Sequence, residues 1–231
     1  LLNEYLKKEF NLELKDYFAV LGPCHAEEVA AEKLSYLTFT GIDEATTHAI
    51  ASCFKTPYLN TVENNDIFGV QFAAVLKNIY AVGSGIAHGL DYGDNFLSVF
   101  IANCADEMAG FLKKAGIKNI EVGHTDIRQP SEEHRPHNYA ASVYLGDLLV
   151  TCYSLHSRNR AFGNMIGKGY SVKAAQLEMS MVAEGYYAGK CMHVINQKIM
   201  ADMPIADTIY RILWENLPAA EGFNRIELTL V

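Results

Sequence analysis

Cysteine is scarce in this chain, and its spacing is wrong for cross-linking. The five thiols, Cys24, Cys53, Cys104, Cys152 and Cys191, stand far apart, their number is odd, and no CxxC occurs. This argues against a disulfide framework or a cysteine-based zinc site and fits a reducing cytosol. Positive charge is also in deficit: 19 Lys and Arg face 27 Asp and Glu, a formal net charge of −8, with no basic block. We therefore expect no nucleic-acid partner, although a local basic pocket is compatible with such a balance. No unbroken apolar run approaches the ~20 residues of a bilayer-spanning helix, so no integral membrane segment is expected. Internal repeats and low-complexity runs are absent too. What is abundant is apolar mass, half of the 231 residues, which favours an ordered core over disorder.

The first 65 residues read as mixed α/β. YFAVL, LSYLTFTG and PYLNTVEN have the aromatic and β-branched content of strands. LLNEYLKKEF, HAEEVAAEK and EATTHAIASCFK read as helices around them. This alternation suggests the edge of a larger α/β sheet. From Asp66 the pattern becomes helical. DIFGVQFAAVLKNIYAVGSGIAHGL is apolar on most of its circumference, as expected of a buried helix. One face is expected to carry Phe68, Phe72, Val75 and Ile79. Gly83, Gly85 and Gly89 form no GxGxxG turn after a strand, and are read as close packing and turns. The next helix is expected to start with Asp94 as its cap and to pack through Phe96, Val99, Phe100, Asn103, Cys104, Glu107, Met108 and Phe111. KNIEVGHTDIRQPSEEHRPHNYA, with two prolines and three histidines, reads as a surface excursion. Further helices follow: SRNRAFGNMIGKG, SVKAAQLEM capped by Ser171, VAEGYYAGKCMHVINQKIM, and MPIADTIYRILWENL with Pro204 in its first turn.

Several residues can carry chemistry. Lys77 interrupts AAVLKNIYAV, where a charge has few routes to water. It reads as a proton acceptor from an alcohol or as a lysine snorkelling at a helix end. Asn78 can hold a substrate hydroxyl or satisfy nearby backbone groups. Asp147 lies between apolar residues and needs a cation or donor, for which Lys77 and Arg158 are candidates, unless it caps a helix after Gly146. Ser157, Arg158, Asn159 and Arg160 are consecutive. A guanidinium suits phosphate or carboxylate, but such clusters are often simply solvated. Glu184 can accept from ribose hydroxyls or sit at the surface, and Gly185 beside it permits close approach of backbone or ligand. Cys24 and His25 are adjacent, without an identifiable orienting carboxylate, and are not read as a nucleophile pair. His134 and His137, even with Asp126, make a weak metal reading, and no metal site is expected.

GPCHAEEVA, VLKN, LGD and SRNRAFG, followed by VAEG, together resemble the bacterial-type NAD(P)-dependent glycerol-3-phosphate dehydrogenases in order and local spacing. Lys77 and Asp147 are 70 residues apart, Asp147 and Arg158 11, Arg158 and Glu184 26. The last two intervals match the family, and the first exceeds it by about the length of the polar excursion. The resemblance implies Lys77 as proton acceptor and a substrate side made of Lys77, Asn78, Asp147, Ser157, Arg158 and Asn159. It places Gly22 and Cys24 in a GPS-type turn that touches glycerol phosphate, and Ala26, Arg158, Val182 and Glu184 near NAD or NADP.

Departures accompany the likeness. Cys24 stands where the family has serine, ASVYLGD replaces GLAGLGD, and the helix after the DN pair lacks the arginine many relatives carry. The family's glycine-rich dinucleotide turn and the lysine of that first half are not in this chain. The expectation is a fragment: residues 1–65 a remnant of a Rossmann-like dinucleotide-binding domain, residues 66–231 an α-helical substrate-binding and catalytic domain. The intact enzyme would interconvert sn-glycerol 3-phosphate and dihydroxyacetone phosphate in the cytoplasm, with a homodimer as its expected partner state, and the isolated chain would be inactive. The alternatives are a fragment of a related β-hydroxyacid or sugar-acid dehydrogenase, and a non-catalytic helical interaction module.

Overall fold

The structure, a computed structural model, describes residues 1–117 and 141–231. The polar excursion, with Asp126, His134 and His137, lies outside the described residues. The chain opens with helix α1 (Leu2–Phe10), tied to the body where Gln71 accepts from the Leu2 amide at 3.1 Å and donates to Asn3 at 3.0 Å. Strands β1 (Ala19–Leu21), β2 (Ser35–Thr40) and β3 (Leu59–Asn64) form one sheet in the order β1-β2-β3. β2 is antiparallel to β1, pairing Ala19 with Thr40, and parallel to β3, pairing Ser35 with Leu59. Short helix α2 (Ala26–Ala30) joins β1 to β2, and α3 (Glu44–Phe54) makes the crossover to β3. Asp43 caps α3 by accepting from the Ala45 and Thr46 amides at 3.1 and 3.3 Å, satisfying donors that the first turn leaves free.

The rest is helical: α4 (Ile67–Gly89), α5 (Asp94–Lys114), a π-helical turn (Ala141–Gly146) running into α6 (Asp147–Tyr153), α7 (Arg158–Gly167), α8 (Val172–Glu178), α9 (Glu184–Ile199), α10 (Pro204–Trp214) and α11 (Ala219–Glu227). A small mixed sheet followed by a mainly α-helical body is the fold class the sequence implied. α4 is the axis of that body. By length and composition it is apolar enough to cross a membrane, but α5, α6, α7, α9 and α10 all pack against it. Its apolar character is therefore spent on the core. The anticipated face was partly misplaced: Phe68 is exposed, and the buried line runs through Val70, Ala73, Leu76, Ile79 and Tyr80. Beyond Ile79 the helix is buried all round from Tyr80 to Ala87, so no single stripe describes it.

Close approach explains the glycines of α4. A Cβ on Gly85 would lie 2.0 Å from the Arg160 carbonyl oxygen, and one on Gly163 would lie 2.0 Å from that of Val82. α4 and α7 thus meet backbone to backbone. In α5 two expectations shift. Gly93, with extended backbone, is the cap, and Asp94 is the first helical residue. The packed stripe includes Leu97 and Ile101, whereas Val99 faces out. Ser171 caps α8 as expected, accepting from the Ala174 amide at 3.2 Å. α10 starts at Pro204, and its free amides are satisfied from another helix: Glu107 accepts from Ile205 at 2.7 Å and from Ala206 at 2.9 Å. Phe223 of α11 closes the far end against Tyr92, Phe96 and Phe100.

Candidate functional site

An open cleft of about 630 Å³ lies between the turn after β1 and the helices α4, α6, α7 and α9. The turn depends on Gly22, whose φ is +132° and whose Cβ, if present, would stand 3.0 Å from the Tyr36 carbonyl oxygen. Any side chain there is strained by conformation and crowded by β2. The turn delivers Cys24, His25 and Ala26 to one wall of the cleft. The Cys24 thiol is pushed up from its ordinary pKa, first by burial, then by the carboxylates of Asp147 and Glu28. A thiol raised in this way is not an activated nucleophile.

Lys77 projects from α4 into the opposite wall with one fifth of its side chain exposed, and its Nζ donates to Asp147 Oδ2 at 2.6 Å. Of the two cations considered for Asp147, the fold selects Lys77. Asp147 begins α6 but does not cap it: Gly146 occupies the cap position, and the carboxylate, 3% exposed, is turned to the lysine. Thr151, one turn on, donates to the Asp147 carbonyl at 2.6 Å and also lines the cleft.

A chain of amides runs beside this pair. Asn159 donates to Asn78 Oδ1 at 3.0 Å and accepts from the Gly185 amide at 2.9 Å. It connects α4, α7 and the first turn of α9. Ser157 caps α7, accepting from the Arg160 amide at 3.3 Å. Arg158 reaches across to Glu184 at 2.8 Å and to the Met181 sulfur at 3.3 Å. Arg160, adjacent but one in sequence, turns away to the Tyr153 carbonyl at 2.9 Å. The basic cluster therefore splits, with Arg158 alone lining the cleft.

Gly22, Cys24, Ala26, Lys77, Asn78, Asp147, Ser157, Arg158, Asn159 and Glu184 all line this one cleft. Val182 does not. It is 61% exposed and lines an adjoining cavity with Phe162, Tyr186 and Tyr187, which shares only Met181 with the cleft. Sequence reading missed Thr151, His156 and Glu27 as lining residues and discounted His25. Thr151 had a usable signal, since it sits four residues after Asp147 on the same helical face. Among the described residues no three His, Cys, Asp or Glu side chains are grouped to hold a metal. The arrangement offers a lysine fixed beside a carboxylate, amides for hydroxyl groups and a guanidinium at the rim, a set suited to moving a proton at a small polar anion.

Comparison with known proteins identifies a family. Residues 66–224 match the family described as NAD-dependent glycerol-3-phosphate dehydrogenase C-terminus. The glycerol-3-phosphate dehydrogenase [NAD(P)+] of Lacticaseibacillus paracasei is 34% identical over 217 residues, covering 94% of this chain and 56% of its own length. That of Chlorobium chlorochromatii is 33% identical over 222 residues, covering 96% and 62%. The crystal structure of glycerol-3-phosphate dehydrogenase from Coxiella burnetii superposes with a TM-score of 0.82 at 26% identity, over 99% of this chain and 64% of that one. The chain thus spans little more than half the length of these curated relatives. With the family match running from the cap of α4 through most of α11, the chain belongs to the NAD-dependent glycerol-3-phosphate dehydrogenase family, as its C-terminal part.

Proposed function

We propose that the protein containing this chain interconverts sn-glycerol 3-phosphate and dihydroxyacetone phosphate with NAD or NADP. The observation that carries the reading is the Lys77–Asp147 contact of 2.6 Å on the wall of the cleft. Toward the ketone, Lys77 accepts the proton of the C2 hydroxyl; toward the alcohol, its ammonium donates that proton to the C2 oxygen. Asp147 holds the lysine side chain in one position, which removes an entropic cost from proton transfer. The Asn78 and Asn159 amides offer donors and acceptors to the substrate hydroxyls, and Arg158 opposes negative charge at the rim. NAD or NADP, when bound, supplies the two-electron hydride exchange with C2. The residues present suit it: the Glu184 carboxylate at the cleft edge can accept from ribose hydroxyls and Ala26 offers apolar surface to a ring, while Val182, in the adjoining cavity, would meet only a part of the cofactor that extends past Met181. The names of the curated relatives support the same substrate and both cofactors. Five free thiols fit a reducing cytosol, and a homodimer and a boundary between residues 65 and 66 belong to the same proposal.

The experiment replaces Lys77 in the full enzyme and follows dihydroxyacetone phosphate reduction with each reduced cofactor. Lys77→Met leaves the Asp147 carboxylate buried without its partner, so the double variant Lys77→Met/Asp147→Asn is assayed beside it to keep the fold intact. Turnover should fall by roughly 10²–10⁴-fold, the range general acid–base catalysis supplies. Near-normal turnover in a folded double variant refutes the role of Lys77.

A further inference from the structure

Two polar contacts join α4 to the segment that leads into α6. One is the Lys77–Asp147 pair. The other lies about three helical turns back along α4, where buried Tyr144 of the π-helical turn donates its hydroxyl to Asp66 Oδ2. Asp66 is the cap of α4: its Oδ1 accepts from the Gly69 amide at 2.8 Å, and its own amide donates to Asn64 Oδ1, at the end of β3, at 3.2 Å. Gly69 leaves room for the contact, since a Cβ there would stand 2.1 Å from Asp66 Oδ2 and 2.5 Å from the Tyr144 hydroxyl. Burial first, then the hydrogen bond and charge of Asp66, raise the pKa of the phenol, so it keeps its proton and remains a donor.

This contact matters to the site because its neighbours leave position undetermined. A lysine amine ends a flexible four-carbon stem, so the Lys77 amine takes its place from Asp147, its partner at 2.6 Å. Asp147 opens a helix of seven residues whose cap, Gly146, has no side chain to hold it. Val143 and Leu148, on either side, are buried in the core. Apolar packing is non-directional, however, and sets depth rather than position along α4. A hydrogen bond is directional, and tyrosine has only two side-chain torsions. Tyr144, three residues before Asp147, therefore transmits the position of the α4 cap to the carboxylate.

We infer that Tyr144 is a positioning residue for proton transfer: its bond to the cap of α4 fixes the π-helical turn, and through it the place of Asp147 and of the Lys77 amine. The inference rests on the reading of Lys77 as the proton carrier. Tyr144 is not among the residues that line the cleft, so it acts without touching the substrate. ASVYLGD carries this tyrosine where GLAGLGD has glycine, which makes the tie a property of this chain.

The test is made in the full enzyme with dihydroxyacetone phosphate and each reduced cofactor, and circular dichroism checks the fold of every variant. Tyr144→Phe keeps the ring and removes the hydroxyl. It should lower kcat about tenfold, as a small misplacement of a reacting group does, with KM for either substrate little changed. Asp66→Ser keeps an oxygen for the Gly69 amide and withdraws the partner of Tyr144. It should lower kcat to the same extent, and the two substitutions together no further; it also carries the comparison if Tyr144→Phe does not fold. In an Asp147→Asn background the loss from Tyr144→Phe should shrink to about twofold or less, because the carboxylate it places is gone. A general loosening of the fold would instead raise KM and act equally in both backgrounds. Unchanged kcat in the folded variants, or an equal loss with and without the Asp147 carboxylate, overturns the inference and leaves Lys77 in place. Near-normal turnover in folded Lys77→Met/Asp147→Asn removes the lysine and the inference with it.

Discussion

At the scale of single residues, the pair Lys77–Asp147 shows how one contact serves both stability and chemistry. Asp147 is 3% exposed and Lys77 19%, so neither charge is well solvated. Removing the lysine alone strands a carboxylate in the protein, which costs about 3 kcal/mol or more. Lys77→Met should therefore lower the urea midpoint clearly, and adding Asp147→Asn should recover most of the loss, because a neutral amide is far cheaper to bury. If the single and double variants unfold at the same midpoint, the pair is not coupled as described. Activity should be lost in both, which separates the structural part of the contact from its chemical part.

At the scale of elements, the approach of α4 to α7 fixes where Lys77 and Arg158 sit relative to each other. Gly85 admits the Arg160 carbonyl to a distance that any Cβ would occupy. Gly85→Ala must push α7 away and should cost roughly 2–4 kcal/mol, as overpacking against backbone has no cheap relief. Gly110, exposed inside α5 with nothing within 4 Å of its Cβ direction among the described residues, is the contrast. Gly110→Ala should stabilise by about 0.5–1 kcal/mol through helix propensity. Thermal melts of the two variants should move in opposite directions; movement in the same direction contradicts the packing argument. The sequence could show that the glycines of α4 were packing positions, because a helix apolar on all sides needs close neighbours. It could not show which helix came close. For the same reason the stripe drawn through Phe68, Phe72 and Val75 was displaced. Where all faces are apolar, periodicity carries little information, and the neighbours decide which side is deepest.

At the scale of the whole molecule, Glu107 links α5 to the start of α10 and to Tyr80. It accepts from two α10 amides and from the Tyr80 hydroxyl at 3.1 Å. Burial nonetheless dominates and raises its pKa from 4.5 to about 7, against the lowering effect of those hydrogen bonds. A carboxyl whose folded pKa is raised holds its proton more tightly in the native state. Between about pH 4.5 and pH 7 the folded chain therefore binds more protons than the unfolded chain, and this group's contribution to stability falls as pH rises through that window. The loss is on the order of 3 kcal/mol when complete. Urea unfolding at pH 5 and pH 8 should show a larger drop in the native protein than in Glu107→Gln, which cannot ionise. An equal drop in both would remove Glu107 as its source.

The sequence by itself determined the order and type of most of the elements, though not the last helix, α11 (Ala219–Glu227), and most of the residues at the cleft. Strand and helix periods are local properties, and the spacing of VLKN, LGD, SRNR and VAEG belongs to the chain itself. Only the tertiary structure decided that Asp147 chooses Lys77, that Arg158 faces Glu184 while Arg160 turns away, that Val182 lines a neighbouring cavity, and that Tyr144 reaches Asp66. Each of these depends on residues far apart in the chain meeting at a chosen angle. That angle is set by the turn at Gly22, which the local motif showed, and by backbone contact between helices, which no local pattern encodes.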